Sequence, residues 1–350
     1  MGGIVIVVST GKAPWAVYQG IFEGAGLDWF FNYDDASAFN LQQTLIVTTS
    51  LMLTGLAVAF AFRCGLFNIG GQGQYMAGAI MSVIIGSNLE GLNPFLHILF
   101  VFVAGTVTGA LLAGFAGFLK ATVGAHEVIT TIMLNWIAIR VGQFLFGLGG
   151  PLQNSEQPAI PISETVNDGA KLPVFWGDPD FQGLSIGIFV AVGALVVYWL
   201  ILNRTTLGYG VKAVGFNPEA ARYGGISVSR NYVLAMAISG MFAGLAGAMD
   251  ILGWQFHIAT SDISASQIGF VGIAVALLGR NTAVGVGLAA LLFAALVNGT
   301  STRNLDPTIF QPELASNLTL MIQGLVVLFV GADVIVLTLL RKLRRKPTPA

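Results

Sequence analysis

Between Gly65 and Ile80 the chain reads GLFNIGGQGQYMAGAI, five glycines with Asn68, Gln72 and Gln74 set among them. A carboxamide is uncharged, yet it carries both donors and an acceptor. Such groups suit hydrogen-bond exchange with a polar, neutral solute. A second polar set, Thr130, Thr131 and Asn135, lies within HEVITTIMLNWIAIRVGQ. Thr131 and Asn135 are four apart and share a helix face. A threonine hydroxyl can bond back to its own helix. Asn135 has no such escape and is expected to point inward.

A third stretch, AVGFNPEAARYGGI, has the marks of a short capped helix. Asn217 is a good cap and Pro218 suits a first turn. PEAARYGG then makes about two turns before Gly224 and Gly225 stop it. A helix of this kind fits either a docking knob or a plain surface helix. Gln323 is read as glue between helices, and Asp250 as reaching the membrane interface near the end of its helix.

Catalytic chemistry finds little to work with. The sequence contains no HExxH and no CxxC, and the three histidines, His97, His126 and His257, are far apart. The single cysteine, Cys64, has no activating partner nearby in sequence and reads as a small packing residue. STGKA, near the N-terminus, lacks the upstream glycine and the Ser or Thr after lysine that a phosphate loop needs. No cofactor is expected, and any ATP must be bound by another chain.

The elements that hold these residues are set by composition. Of 350 residues, 55% are hydrophobic and 9% charged, against about 25% charged in a typical soluble domain. A membrane-spanning helix needs about 20 apolar residues. Apolar runs of about that length fall at 3–22, 41–62, 67–86, 95–118, 127–147, 184–202, 231–252, 264–279, 282–300 and 316–340. The expectation is an all-α integral membrane protein of about ten transmembrane helices, one domain over 1–350, with a broken, glycine-rich segment near 65–75. IVIVV, at the start, is too short for a signal peptide and reads as the end of a first membrane helix.

Backbone that leaves helix inside a bilayer is tolerated where protein buries it or water lines it. Asn68, Gln72 and Gln74 facing lipid would be costly. The 65–75 stretch is therefore expected to face the bundle interior, either lining a pathway or gluing helices. GTVTG (Gly105, Gly109) and GMFAG (Gly240, Gly244) carry the small-xxx-small spacing of close helix pairs.

Basic residues set orientation. Arg204, Lys212, Arg222 and Arg230 fall in the connection 203–230, and Arg341, Lys342, Arg344, Arg345 and Lys346 in the tail. Placing both in the cytoplasm puts 148–183 outside, a loop broken by Pro151, Pro158, Pro161, Pro173 and Pro179. That loop is long enough to fold over the outer mouth or to meet a partner there.

GLFNIGGQGQ, EVITTIMLNWIA and AVGFNPEAARYGGI together resemble the permease subunits of bacterial ABC importers, from the superfamily that handles branched-chain amino acids, simple sugars and nucleosides. GFVGIAVALLGRNTAVGVGLAALLFAAL (Gly269 to Leu296) fits the same pattern, and the resemblance covers about 40–335. The branch it resembles most is that of the nucleoside importers, with 148–183 like the loop of the larger of two paired permeases. The resemblance implies a heterodimer with a second homologous permease, a separate ABC ATPase and a lipid-anchored substrate-binding protein. It implies a bacterial plasma-membrane location and no nucleic-acid partner. Asn217, Pro218, Glu219, Ala220, Ala221 and Arg222 would form the segment that couples to the ATPase. Asn68, Gln72, Gln74, Thr131 and Asn135 are the candidate pathway residues. The sequence departs from the pattern at Gln72, where the family often has Glu, and at its first span, which looks truncated. A sugar importer of the same fold remains an alternative. A proton-driven transporter fits less well, because Arg140, Asp250 and Asp333 lie within the spans away from their extreme ends, with no acid near a midplane.

Overall fold

The computed structural model describes residues 14–179 and 182–301, with isolated positions at 321, 324, 325 and 328. Helices α1 (Pro14–Gly24) and α2 (Trp29–Asn32) lead into α3 (Asp35–Arg63). The Asp34 carboxylate accepts the Ser37 N–H at 2.7 Å and starts that helix. From Leu51 to Ala61 every residue of α3 is buried. A helix apolar on all sides can go to the centre of a bundle, and α3 does.

The chain leaves helix after α3 and resumes it at α4 (Gly71–Asn88), so the glycine-rich segment is broken at its start. α5 (Pro94–Val123) and α6 (Glu127–Phe146) follow. Lys120 and Glu127 pair at 2.8 Å across the turn between them. α5 divides by side-chain size. Phe100, Val107, Leu111, Phe115 and Phe118 face outward, while Gly105, Gly109, Ala113, Ala116 and Gly117 are buried. Lipid accepts large apolar groups, and small ones let helix backbones touch.

Two short strands, β1 (Val174–Trp176) and β2 (Leu184–Ser185), form a hairpin before α7 (Gly187–Arg204). α8 (Thr206–Phe216) and α9 (Pro218–Tyr223) come next, then α10 (Val228–Asp250). α10 runs on as one π turn, Ile251–Gln255. α11 (Thr260–Ala265), α12 (Ile268–Leu278) and α13 (Ala283–Gly299) complete the described chain.

α10 packs against α5, α4 and α3, and α12 and α13 close the far side of α3. The α5–α10 contact is the one the glycine spacing predicts. A Cβ on Gly109 would lie 2.7 Å from the Gly244 Cα, and one on Gly240 would lie 2.8 Å from the Gly109 carbonyl carbon. At the turn after α12, Arg280 and Asn281 take φ of 50° and 52°. Arg63 Nε and Nη2 donate to the Asn281 carbonyl at 3.0 and 2.6 Å, and the Tyr198 hydroxyl does so at 2.8 Å. Three donors on one oxygen tie α3 and α7 to this turn.

The 148–183 connection is folded onto the segment after α10. The N–H groups of Ser163, Val166 and Leu172 donate to the carbonyls of Ile258, Phe256 and Leu252 at 2.8–2.9 Å. Lys171 sits 5.1 Å over the Phe256 ring and bonds Asp168 at 2.7 Å. That bond holds the exposed Asp168 carboxyl below the usual carboxylate range.

Among the described residues, six helical stretches are long and apolar enough to cross a membrane: Asp35–Arg63, Pro94–Val123, Glu127–Phe146, Gly187–Arg204, Val228–Gln255 and Thr260–Leu278. Ala283–Gly299 is apolar but shorter. α4 has 18 residues, and its amides dilute its apolar character. Of the expected first span, 14–22 are described. The span at 316–340, with Gln323 and Asp333, and the basic tail lie outside the described residues.

Candidate functional site

Gly70, the residue before α4, has no side chain with which to cap it, although the first N–H groups of any helix need acceptors. The acceptor comes from α6. Asn135 Oδ1 takes the Gly73 N–H at 2.7 Å, and Asn135 Nδ2 donates to the Ile69 carbonyl at 2.9 Å. The approach needs a glycine, because a Cβ on Gly73 would sit 2.7 Å from the Asn135 Cα.

Asn68 folds back on the same helix start. Its Oδ1 accepts from Gly70 N–H and Gln74 Nε2, both at 2.9 Å. Its Nδ2 donates to Gln74 Oε1 at 2.8 Å and to Ser239 Oγ on α10 at 2.7 Å. Ser239 passes the chain on to the Ala57 carbonyl of α3 at 2.6 Å. Gln72 Oε1 accepts the Gly269 N–H of α12 at 2.9 Å. Gln72 Nε2 is buried and has no hydrogen bond among the described residues. Thr131 bonds back to the Glu127 carbonyl at 2.8 Å, and a Cβ on Gly70 would meet its Cβ at 3.0 Å.

The structure thus brings all five candidate pathway residues to one junction of α3, α4, α6, α10 and α12. Each is at most 2% exposed. In this arrangement they join helices, and the orphaned amide of Gln72 is the one vacancy in their bonding.

A second polar cluster, built on Asp250, sits deeper than the sequence suggests. Asp250 is 1% exposed rather than at an interface. Its carboxylate accepts from Ser50 Oγ, from the Tyr75 hydroxyl at 2.6 Å and from Trp254 Nε1 at 3.0 Å. Asn298, also missed, donates to the Gly24 and Asn40 carbonyls at 3.2 and 2.8 Å. Its signal was a lone amide late in an apolar run. Among the described residues no group of three or more His, Cys, Asp or Glu could hold a metal.

At the other end of the bundle, Asn217 Oδ1 accepts the N–H groups of Glu219 and Ala220 at 3.0 and 3.1 Å. Ala221 is buried against the bundle, while Phe216 and Tyr223 are 91% and 93% exposed. Glu219 and Arg222 are exposed and 3.8 Å apart. The expected coupling segment is therefore a capped, projecting turn.

Residues 40–331 match the family described as "Branched-chain amino acid transport system / permease component". The chain belongs to that permease family. The permease is 35% identical over 344 residues to the guanosine ABC transporter permease protein NupP of Bacillus subtilis, covering 98% of this chain and 93% of that one. It is 34% identical over 348 residues to the nucleoside ABC transporter permease protein NupB of Lactococcus lactis, covering 97% and 90%. The glucose ABC transporter permease protein TsgB13 of Haloferax volcanii matches at 36% over 274 residues, 76% of the permease and 70% of that protein. Both bacteria also hold a second matching guanosine or nucleoside permease, at 28–29% identity.

Proposed function

We propose that this permease is one half of the membrane pathway of an ATP-driven nucleoside importer in a bacterial plasma membrane. Near full-length similarity to permeases named for guanosine and nucleosides carries the proposal. The neutral amide junction is compatible with it, since nucleosides present donors and acceptors without fixed charge. The bundle has about ten spans, with 148–183 outside and the C-terminus in the cytoplasm, following the distribution of Lys and Arg. Partners are a second homologous permease, an ABC ATPase that binds the ATP, and a substrate-binding lipoprotein. The paired matches within each bacterium favour a heterodimer. Asn217 to Arg222 seat in the ATPase, and Asn68, Gln72, Gln74, Thr131 and Asn135 border the pathway, with the unused N–H donors of Gln72 offered to a passing solute or water.

The test is uptake into proteoliposomes holding the permease with its partners. Labelled guanosine should enter only with ATP, and the permease alone should not hydrolyse ATP. Uptake by the permease alone on a proton gradient would refute this. The glucose permease relative supports a second reading, a simple-sugar importer. Glucose uptake with no nucleoside uptake would select it.

A further inference from the structure

A cavity of about 430 Å³ lies between the π turn, α11 and the start of α12. Its walls include Trp254, Gln255, His257, Asp262, Ser266 and Ile268. Ligand pockets are typically about 300–1,000 Å³, apolar with a few placed polar groups. π turns in helices are frequently found at functional sites, and here Phe256 leaves the turn with φ of 60°. The main-chain bonds from Ser163, Val166 and Leu172 hold that turn in place.

We propose that this cavity is a nucleoside-binding site of the permease itself, at the mouth of the pathway. The inference rests on the nucleoside reading above and adds where the permease takes hold of its solute. Trp254 spends its N–H on Asp250, so it offers the cavity ring surface, on which a purine or pyrimidine base can stack. Asp250 also binds Ser50 of α3 and Tyr75 of α4, which fixes the indole against two neighbouring helices. Asp250 is a positioning residue in this site. Gln255 supplies amide donors and an acceptor for a base edge. The Asp262 carboxylate takes one backbone N–H, from Ala259 at 3.2 Å, and a long 3.4 Å contact from Ser261. It keeps lone pairs for the vicinal hydroxyls of a ribose. Ser266 Oγ is buried on the wall beside the Tyr75 hydroxyl.

The Ser266 hydroxyl and the orphan Gln72 amide lie on either side of one short stretch. Gln72 holds the N–H of Gly269, three residues after Ser266. Ser266 on the cavity wall and Gln72, held to α12 through Gly269, mark a line from the cavity to the amide junction. A nucleoside entering along that line exchanges one set of partners for the next.

The experiment uses the complete reconstituted importer and two probes, labelled guanosine for uptake and 8-azidoadenosine for photolabelling. The label should fall on the peptide holding 254–266 and be competed by unlabelled guanosine. Trp254→Ala should raise KM for uptake by about tenfold, the size of a lost base–aromatic stack. Trp254→Phe should restore most of that loss. Asp262→Asn should weaken uptake of ribonucleosides more than of 2′,3′-dideoxynucleosides. A melting curve on each purified variant separates lost binding from lost folding, and Trp254→Phe supplies a folded variant if Trp254→Ala is unstable. Guanosine uptake by the wild type with label only elsewhere, or a wild-type KM in Trp254→Ala, would overturn the site. Failure of the wild type to import any nucleoside would instead overturn the functional reading, and this ligand class with it.

Discussion

Asn68 meets three partners with four hydrogen bonds, all of them buried. Replacing it by alanine strands the Gln74 amide, the Gly70 N–H and one acceptor at Ser239. One stranded buried group costs about 1–3 kcal/mol. Asn68→Ala should therefore lower the melting temperature in detergent, and Gln74→Ala in the same background should add less than it costs alone. Gly109 fails for a different reason. Any side chain there meets α10 backbone, which has no rotamer to give, and overpacking costs about 1–3 kcal/mol or more. Gly109→Val should destabilise the fold more than Gly114→Val, whose Cβ would meet its nearest neighbour at 3.5 Å. At this scale the sequence was partly legible. A local cluster such as Asn68–Gln74 stands out by its types and spacing. The Asp250 cluster does not, because its Ser50 and Tyr75 partners lie 200 and 175 positions away.

α9 has six residues, too few to hold helix by its own cooperativity. Its Asn217 cap satisfies two of its first N–H groups, and losing such a cap costs about 0.5–2 kcal/mol. Asn217→Ala should fray α9 and lower coupled ATPase activity while leaving the melting temperature of the bundle nearly unchanged. Reversing both Glu219 and Arg222 is a cleaner probe. Exposed ion pairs contribute little to stability, so the double variant should fold normally yet hydrolyse ATP without uptake. Normal uptake would remove α9 from the coupling role. Most spans were legible as elements, because runs of apolar residues identify them without tertiary information. The run at 264–279 falls within the stretch Thr260–Leu278, but the break between α11 and α12 at Ser266 and Gln267 was not legible, since a chain that lines a cavity can leave helix where a lipid-facing one cannot.

For the whole molecule, the question is whether the amide junction ever opens. Single cysteines at positions 68, 72 and 135, with Cys64 replaced, should react with small aqueous thiol reagents at rates that change with nucleotide state. Cys64 itself is 1% exposed and contributes little background in the bundle as described. Silence at all three positions in every state would make the junction a permanent brace. The class of the molecule was legible from composition alone. The mutual bonding of its polar centre was not, since the same amides satisfy either a solute or one another, and only the three-dimensional arrangement shows which.

The loop across 148–183 is fastened mainly through main-chain N–H and carbonyl groups. Such fastening asks little of most side chains, Asn167, which donates to the Ser87 and Leu89 carbonyls, and Lys171 over Phe256 aside. Its tip, Ser155 to Ile160, is exposed throughout, so this face of the molecule is free to be rewritten, by evolution for a new docking partner or by an engineer for a tag. A short epitope inserted between Pro158 and Ala159 should leave transport intact and be readable by antibody on whole cells; an epitope reached only after the membrane is opened would turn the molecule upside down.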